Sequence, residues 1–528
     1  MKTKIKKTTK KYQPLVLAIL DGWGRAPVKR PDNPIAIAKT PFLRDLEKHY
    51  PFALLGASGQ NVGLPHGQDG NSEAGHLNLG AGRIVEQDAV YISNSIKDGT
   101  FFKNSAFITA IDHARKYKSS LHLMGLLSNY NSGHASPDHL HALLKLAEQQ
   151  GVKKIFIHLF TDGRDSPKYD AVKFLEELKK RFRNGEVIAT IVGRFYAMDR
   201  KKYWAHTEKA YNLLTRGLGL KEQQPEVALR HAYNRGESDE YIKPMVMVDK
   251  HNKPVGLISD NDAVIFFNLR SDRARQLAKP FVQKHFEKLN KGSFKRWKVL
   301  KNLCTVALTD FGPDLGHIHT AYPSRDEKET LPMALVGQRQ LYIAESEKFA
   351  HVTYFFNGGY DHLVAGEDRV VVPSPDLESY DRKPDMSAHQ ITKIILRSLK
   401  QKKYDFITVN FANADMVGHT GNFKACLQAV ETIDKCLGQI GQALFRVGGL
   451  LMVVADHGNV EETVNNKTGE IDTEHSTNPV PCYLYGKVYK GKHFTRRRGI
   501  LGDVAPTILD ILNIPKPKLM TRKSLFKR

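Results

Sequence analysis

Ser72 stands in Gln68-Asp69-Gly70-Asn71-Ser72-Glu73-Ala74-Gly75-His76, a glycine-framed stretch far in sequence from several Asp and His clusters. A serine hydroxyl attacks weakly at its free pKa, so a nucleophilic Ser72 needs a base or a metal to activate it. The clusters offer candidates. Asp415-x-x-x-His419 puts a carboxylate and an imidazole four apart, on one face of a helical turn, where they can meet at one ion or form an ordinary surface contact. Asp456-His457 follows an apolar run directly and precedes Gly458. Two adjacent titratable groups there are costly to bury unless an ion or a structural salt bridge pairs with them. His475, in Glu474-His475-Ser476-Thr477-Asn478-Pro479, and Asp21 complete the set. Carboxylate, imidazole and serine oxygen without thiolate favour Mn(II) or Zn(II), admit Mg(II) and exclude iron–sulfur clusters. Seven candidate ligands are too many for one tetrahedral site. Two ions are expected, one activating the nucleophile and one holding phosphoryl oxygens. His317 and His319 fall outside these clusters and read as structural or surface residues.

A second constellation suits an anion. Arg164-Asp165, Arg194, Arg200, Arg270 and Arg273 all follow apolar runs. One such arginine is ordinarily solvated or salt-bridged, but five suggest a clamp, because guanidinium forks grip carboxylate or phosphate bidentately. His134, in Ser132-Gly133-His134-Ala135-Ser136, is a candidate to pass a proton or bind an anion. Asp165 is either an ion-pair partner of these arginines or an acid and base toward a substrate hydroxyl.

These residues have to be positioned by a recurring unit, a short apolar strand ending in a polar cluster. PLVLAIL ends at Asp21, KIFIHLF at Thr161, EVIATIV at Gly193-Arg194 and DAVIFFNL at Arg270; DFITVNF precedes Asp415 and GGLLMVVA precedes Asp456. Helical stretches at 169–181, 387–400 and 422–445 lie between. Continuous apolar strands alternating with helices predict an α/β chain with parallel sheets covered on both faces. In such sheets ligands bind beyond the carboxyl ends of the strands. The arginine-bearing strand ends occupy about residues 90–320, with the carboxylate and histidine ends before and after. One discontinuous domain, 1–87 and 321–528, with an inserted domain, 91–316, is the simplest division, joined near 87–91 and 316–322.

The chain has 528 residues and a formal net charge of +23, which raises the question of nucleic acid. Six lysines fall in the first eleven residues and six basic residues with no acid in 515–528, so much of the excess reads as solvated tails at the two ends. No zinc finger, RRM signature or basic zipper accompanies them. A nucleic-acid role predicts salt-sensitive binding that trimming both ends would remove, while an enzyme would keep its chemistry after trimming. Cys304, Cys426, Cys436 and Cys482 form no C-x-x-C pair, which suits free thiols in a reducing compartment, the cytoplasm. The apolar run Leu15 to Leu20 is too short for a signal core or a membrane span.

Taken in order, the motifs resemble one family. LDGWG, GNSEAGHLNLGAGR, FTDGRDSP, GRFYAMDR, FFNLRSDRARQ, AESEKFAHVTYFFNGG, NADMVGHTGN, VADHGNVE and EHSTNPVP run over nearly the whole chain. Together they resemble the cofactor-independent, metal-dependent phosphoglycerate mutases of the alkaline-phosphatase superfamily. The resemblance implies two three-layer domains with mainly parallel sheets, an alkaline-phosphatase-like domain and an inserted phosphotransferase domain. It implies two divalent metals, usually manganese, with Co(II), Zn(II) and Mg(II) as alternatives. Asp415, His419 and His475 would hold one ion, and Asp21, Ser72, Asp456 and His457 the other. Lys348 would neutralise charge at a phosphoserine; by sequence alone it reads as an exposed lysine beside a strand. His134, Arg164, Asp165, Arg194, Arg200, Arg270 and Arg273 would grip phosphoglycerate. The family commonly has a V-H-S-H-I-like stretch where this chain reads Gly133-His134-Ala135-Ser136-Pro137, so only His134 carries over.

The implied reaction is the glycolytic and gluconeogenic interconversion of 3- and 2-phosphoglycerate without 2,3-bisphosphoglycerate. Ser72 would take the phosphoryl group, Asp165 would move the proton between the two hydroxyls, and domain closure would exclude water. The expected partner is a small anionic substrate, with no membrane and no nucleic acid, and the expected assembly is a monomer. The nearest rivals are a phosphopentomutase or a metal-dependent phosphatase of the same superfamily, which a substrate panel would separate.

Overall fold

The computed structural model of the chain describes residues 13–26, 31–130, 132–465 and 468–527. The lysine-rich start of the chain lies outside the described residues. The chain divides into two compact units, Met1–Gln87 with Arg325–Arg528, and Asp88–Ser324. The first join falls at Gln87–Asp88, within the stretch read from sequence as 87–91, and the second at Ser324–Arg325, just beyond the stretch read as 316–322. The helix Asp88–Asp98 starts directly after Gln87, and His319–Tyr322 is a strand pairing in parallel with Cys304–Thr309.

The discontinuous unit is built on a sheet of eight strands. Their order is Asp368–Val372, Gln340–Glu345, Phe406–Phe411, Leu15–Leu20, Leu450–Ala455, Val480–Tyr485, Phe52–Gly56 and Arg498–Ile500. The first five run parallel, and Val480–Tyr485 is antiparallel to both its neighbours. Leu15–Leu20 is central and wholly buried, so it carries no polar residue until Asp21. Helices Ala388–Lys400 and Phe423–Val447 turn one apolar stripe inward, with Ile391, Ile395, Ile433, Leu437 and Ile440 in the core.

The continuous unit has a second eight-stranded sheet, in the order His319–Tyr322, Cys304–Thr309, Ala263–Phe266, Leu121–Leu127, Ile155–Thr161, Val187–Gly193, Met245–Met247 and Leu220–Glu222. All pairings are parallel except that of Val187–Gly193 with Met245–Met247. Successive side chains enter opposite cores: Leu123 and Ile265 join one apolar cluster, Met124 and Val264 the other. Strands buried on both faces carry unbroken apolar runs, as the sequence shows here.

The C-terminal basic stretch is not a solvated tail. Met520 and Leu525 are fully buried, and Arg522 pairs with the buried Asp503 at 3.0 Å. Backbone bonds secure the stretch as well: Arg496 N donates to Leu525 O and Arg522 N to Gly82 O. Its apolar side chains fill a groove in the discontinuous unit, and its cations answer Asp503 and Asp510. Reading charge alone concealed this, because Met520 and Leu525 are spaced among lysines.

Glu345 ends its strand fully buried, and burial, only partly offset by the hydrogen bond from Ser387 N, pushes its carboxyl up to about 7. A carboxyl whose folded pKa exceeds its unfolded value binds more protons folded, so stability falls as pH rises between the two. The window runs from the ordinary glutamate value of 4.5 to about 7. Glu345→Gln should remove about 3 kcal/mol of pH dependence across it, read from urea midpoints at pH 4.5 and 7.5.

The four cysteines are buried and unpaired. No helix among the described residues is long and apolar enough to cross a membrane.

Candidate active site

In the discontinuous unit three neighbouring parallel strands end at one level. Leu20 lies opposite Phe411 on one side and Ala455 on the other. The residues that follow, Asp21, the turn bearing Asp415, and Asp456, therefore emerge side by side, although up to 435 positions separate them in sequence. Gly22 makes the convergence possible: its φ is +69°, and a Cβ there would stand 2.7 Å from Asp415 Cα. The next strand, Gln340–Glu345, leads into a short turn that brings up Lys348.

Ser72 is the first residue of the helix Ser72–Ala81, capped by Asn71, whose side chain accepts from Ala74 N. That helix can lie on Asp456 only because residue 75 is glycine; a Cβ there would come within 2.6 Å of Asp456 O. Ser72 Oγ consequently sits 3.1 Å from Asp21 Oδ1 and 3.0 Å from His457 Nε2, and accepts a 2.8 Å hydrogen bond from Lys348 Nζ. Lys348 also donates to Asp21 Oδ1 and Asp415 Oδ2, both at 2.6 Å. Lys348 is thus buried, against the exposed position its sequence suggests. Burial alone would raise the Asp21 carboxyl, but Lys348 and the His457 hydrogen bond outweigh it and hold it far below the usual range. Burial opposes the charge on His457, yet Asp456 and Asp21 push its pKa up to about 10.

The donor set suits divalent cations. His419 Nδ1 faces Thr473 O at 2.6 Å and His475 Nδ1 faces Gly70 O at 2.8 Å. A carbonyl can only accept, so each Nδ1 carries the proton and each Nε2 presents a lone pair. Those two Nε2 atoms lie 3.2 Å apart and 3.3 and 3.2 Å from Asp415 Oδ1. Three acceptors converging in this way are answered by a cation. The neighbouring group, Asp21, Ser72, Asp456 and His457, includes Asp456 Oδ2, a buried carboxylate oxygen with no hydrogen-bond partner. Asp415 bridges the two groups, since it also lies with Asp21 and His457.

Sequence reading passed over four residues that hold this arrangement. His76 is fully buried, with Nδ1 2.9 Å from Ser72 O and 3.2 Å from Asp456 Oδ2. Asn410 Nδ2 donates to Asp21 Oδ2 at 2.6 Å and faces His76 Nε2 at 3.1 Å. Asn459 Nδ2 donates to Asp415 Oδ1 at 2.9 Å. Glu461, also fully buried, accepts from Gly24 N and Asn459 N at 2.9 Å and from the Ser476 hydroxyl, tying three loops together. His76 lies in the Ser72 motif and Glu461 in VADHGNVE, but nothing in their spacing marks them as partners of residues hundreds of positions away. Partners of this kind typically set metal affinity within 10–100-fold. Asn410→Ala should therefore weaken divalent-metal binding by about tenfold or more in calorimetric titration, with little change in the fold.

The continuous unit gathers the second constellation at its own strand ends. Leu127 aligns with Thr161 and Thr161 with Gly193, so Ser128, Asp162 and Arg194 follow at one level. Arg194 is buried rather than offered to solvent, 2.5 Å from Asp162 Oδ1 and 3.2 Å from Asp165 Oδ1. Ser132 Oγ donates to Asp165 Oδ2 at 2.8 Å, and His134 Nε2 lies 3.9 Å from the same oxygen. Burial would raise the Asp165 carboxyl, but Arg194 and His134 hold it below the usual range. Burial, reinforced by Arg194 and Arg270, lowers His134 to about 4, so its imidazole is neutral at neutral pH. Arg200 and Arg270 share Asp272, at 2.8 and 3.5 Å, while Arg164 is exposed. Burial lowers the Arg273 pKa, and the charges of Arg200, Arg194 and Arg164 lower it further. Its Nε is buried without a partner. These cations stand close enough to repel one another, a field that attracts an anion.

Residues 13–516 match the model of the metalloenzyme superfamily. A 2,3-bisphosphoglycerate-independent phosphoglycerate mutase of Methanosarcina barkeri is 49% identical over 524 residues, 98% of this chain and 99% of the relative. The chain belongs to that family. A mutase of the same description from Clostridioides difficile is 45% identical over 522 residues, again 98% of this chain and 99% of the relative. Among solved structures, a Leishmania mexicana phosphoglycerate mutase studied at low cobalt concentration is 28% identical, covers 97% of both chains and superposes with a TM-score of 0.74.

Proposed function

We propose that this chain interconverts 3-phosphoglycerate and 2-phosphoglycerate through a phosphoserine at Ser72, without 2,3-bisphosphoglycerate. The observation that carries the proposal is Ser72 Oγ held within 3.1 Å of Asp21, His457 and Lys348 at the end of one sheet. Lys348 beside the hydroxyl favours its alkoxide and remains beside the oxygen once phosphorylated. Asp415, His419 and His475 would hold one divalent ion, and Asp21, Ser72, Asp456 and His457 a second. When bound, such ions act as Lewis acids that stabilise the serine oxygen and the charge on the phosphoryl oxygens. Mn(II) is the first candidate, with Co(II), Zn(II) and Mg(II) as alternatives.

In the first half-reaction Ser72 Oγ bonds to phosphorus, the bond from phosphorus to the C3 oxygen breaks, and that oxygen takes a proton. In the second half the C2 hydroxyl gives up its proton and attacks the phosphoserine, releasing Ser72. Asp165 is the residue assigned to carry the proton between the two hydroxyls. Its depressed pKa leaves it ionised at rest, so the proton it gives the C3 oxygen is the one Ser72 loses, and it is again a base for the second half. Arg164, Arg194, Arg200, Arg270 and Arg273, with neutral His134, would retain the glycerate between the halves. Retention is what separates a mutase from a hydrolase, because glycerate lost after the first step leaves only phosphoserine for water. The enzyme is taken to act as a cytoplasmic monomer.

The test is a discontinuous assay of 3- to 2-phosphoglycerate conversion by chelated protein after return of manganese, cobalt, magnesium or zinc, with no 2,3-bisphosphoglycerate added. Chelated protein should be inactive and at least manganese or cobalt should restore turnover. No conversion with any metal would overturn the assignment.

A further inference from the structure

One cavity takes no part in this chemistry. It encloses about 360 Å³ in the continuous unit, toward the lower end of volumes that hold small ligands. Its apolar wall is formed by Leu126, Leu140, Phe174, Leu178 and Phe267, from two strand ends and the facing helices Pro137–Gln149 and Ala171–Lys179. Arg181 lines this cavity and also a second one of about 440 Å³, whose rim adds Lys97, Lys145 and Arg183 together with the carboxylates Asp138, Glu148 and Glu186. Arg181 is exposed and forms no ion pair or side-chain hydrogen bond among the described residues. Glu177, its nearest acidic neighbour on the helix, is taken by Lys180 at 2.5 Å. The cavity therefore joins an apolar interior to a guanidinium without an ion-pair partner, and Glu177, which also lines it, feels the Arg181 charge while paired with Lys180.

The geometry points to a binding site for an aromatic monoanion, its ring system seated between Phe174 and Phe267 and its carboxylate or sulfonate on Arg181. A guanidinium without a partner forms a charge-assisted bond to such a group at no cost in broken ion pairs. An apolar body in a partly open pocket supplies the remaining affinity. The site is coupled to the clamp through its wall. Ser128 and Ser136 line the cavity and bracket the segment whose Ser132 holds Asp165 and whose His134 lies beside it. A ligand pressing on that wall alters how Asp165 is held. This coupling rests on the proposed mutase reaction, whereas the binding itself does not.

The probe is 8-anilinonaphthalene-1-sulfonate, titrated into the full-length chain and followed by fluorescence. One saturable site per chain is expected. Arg181→Ala, an exposed change outside the proposed reaction chemistry, should weaken it about tenfold or more while leaving thermal unfolding and turnover unchanged. Hydrogen exchange in saturating probe should slow in peptides spanning 126–141 and 171–181. Unaltered affinity in Arg181→Ala, or protection confined to other peptides, would overturn the site. A KM for 3-phosphoglycerate that moves with probe saturation supports the coupling. A KM that stays fixed while binding is intact removes the coupling and leaves the site.

Discussion

Ser72→Ala should lower turnover by about a thousandfold or more, the usual cost of removing a covalent nucleophile. The substitution deletes one oxygen at the start of a helix whose cap, Asn71, is untouched, so the fold should be unchanged. Asp21, His457 and Lys348 lose the atom they surround but keep one another, since Lys348 still pairs with Asp21 and Asp415. Metal binding should weaken only modestly, one oxygen among several donors having gone. Rapid acid quench of the unaltered enzyme during turnover, followed by peptide mass spectrometry, should place a phosphoryl group on the Ser72 peptide and nowhere else. Near-normal turnover in the variant would end the covalent reading, whatever the metal dependence.

Deleting residues 515–528 should destroy the discontinuous unit rather than merely reduce its charge. The deletion removes Met520 and Leu525, each fully buried, at a cost of about 2–5 kcal/mol apiece by the measure of core truncations. It also removes Arg522 from Asp503, leaving Arg496 as the one remaining guanidinium on that carboxylate among the described residues. Losses of this size match the whole stability of a typical domain. The effect reaches the chemistry directly. Met520 packs against Gly82, the C-cap of the Ser72 helix, and Arg522 N bonds to Gly82 O. A chain ending at Ile514 should be insoluble or lack a cooperative transition in urea, while Lys518→Ala, which removes an exposed charge alone, should unfold normally. A stable, active truncated chain would return the stretch to the status of a charged tail.

Much of this was legible in the chain itself. The alternation of apolar runs and helices yields parallel sheets because a strand buried on both faces has no polar position until it ends. Asp21, Asp456 and Arg194 could therefore be placed at strand ends, and the Asp415–His419 spacing on one helical turn, without coordinates. The positioning residues were not legible. His76, Asn410, Asn459 and Glu461 contribute through single hydrogen bonds to residues far away in sequence, and no periodicity encodes such a bond. Lys348 looked like a solvent lysine because sequence shows its charge and not the two carboxylates 2.6 Å away. Arg194 looked like a free fork because Asp162, which occupies it, sits on another strand.

Residue type and local spacing determined the family and pointed to Ser72 and the donor chemistry, since a motif is a short-range property that the linear chain states in full. Tertiary structure alone decided which oxygen faces which nitrogen, which arginines are already paired, and that the basic C-terminus is part of a core. Those outcomes depend on strand register and on close approaches such as that of Gly75 to Asp456. Both are set by the packing of segments hundreds of residues apart, and local sequence leaves them open.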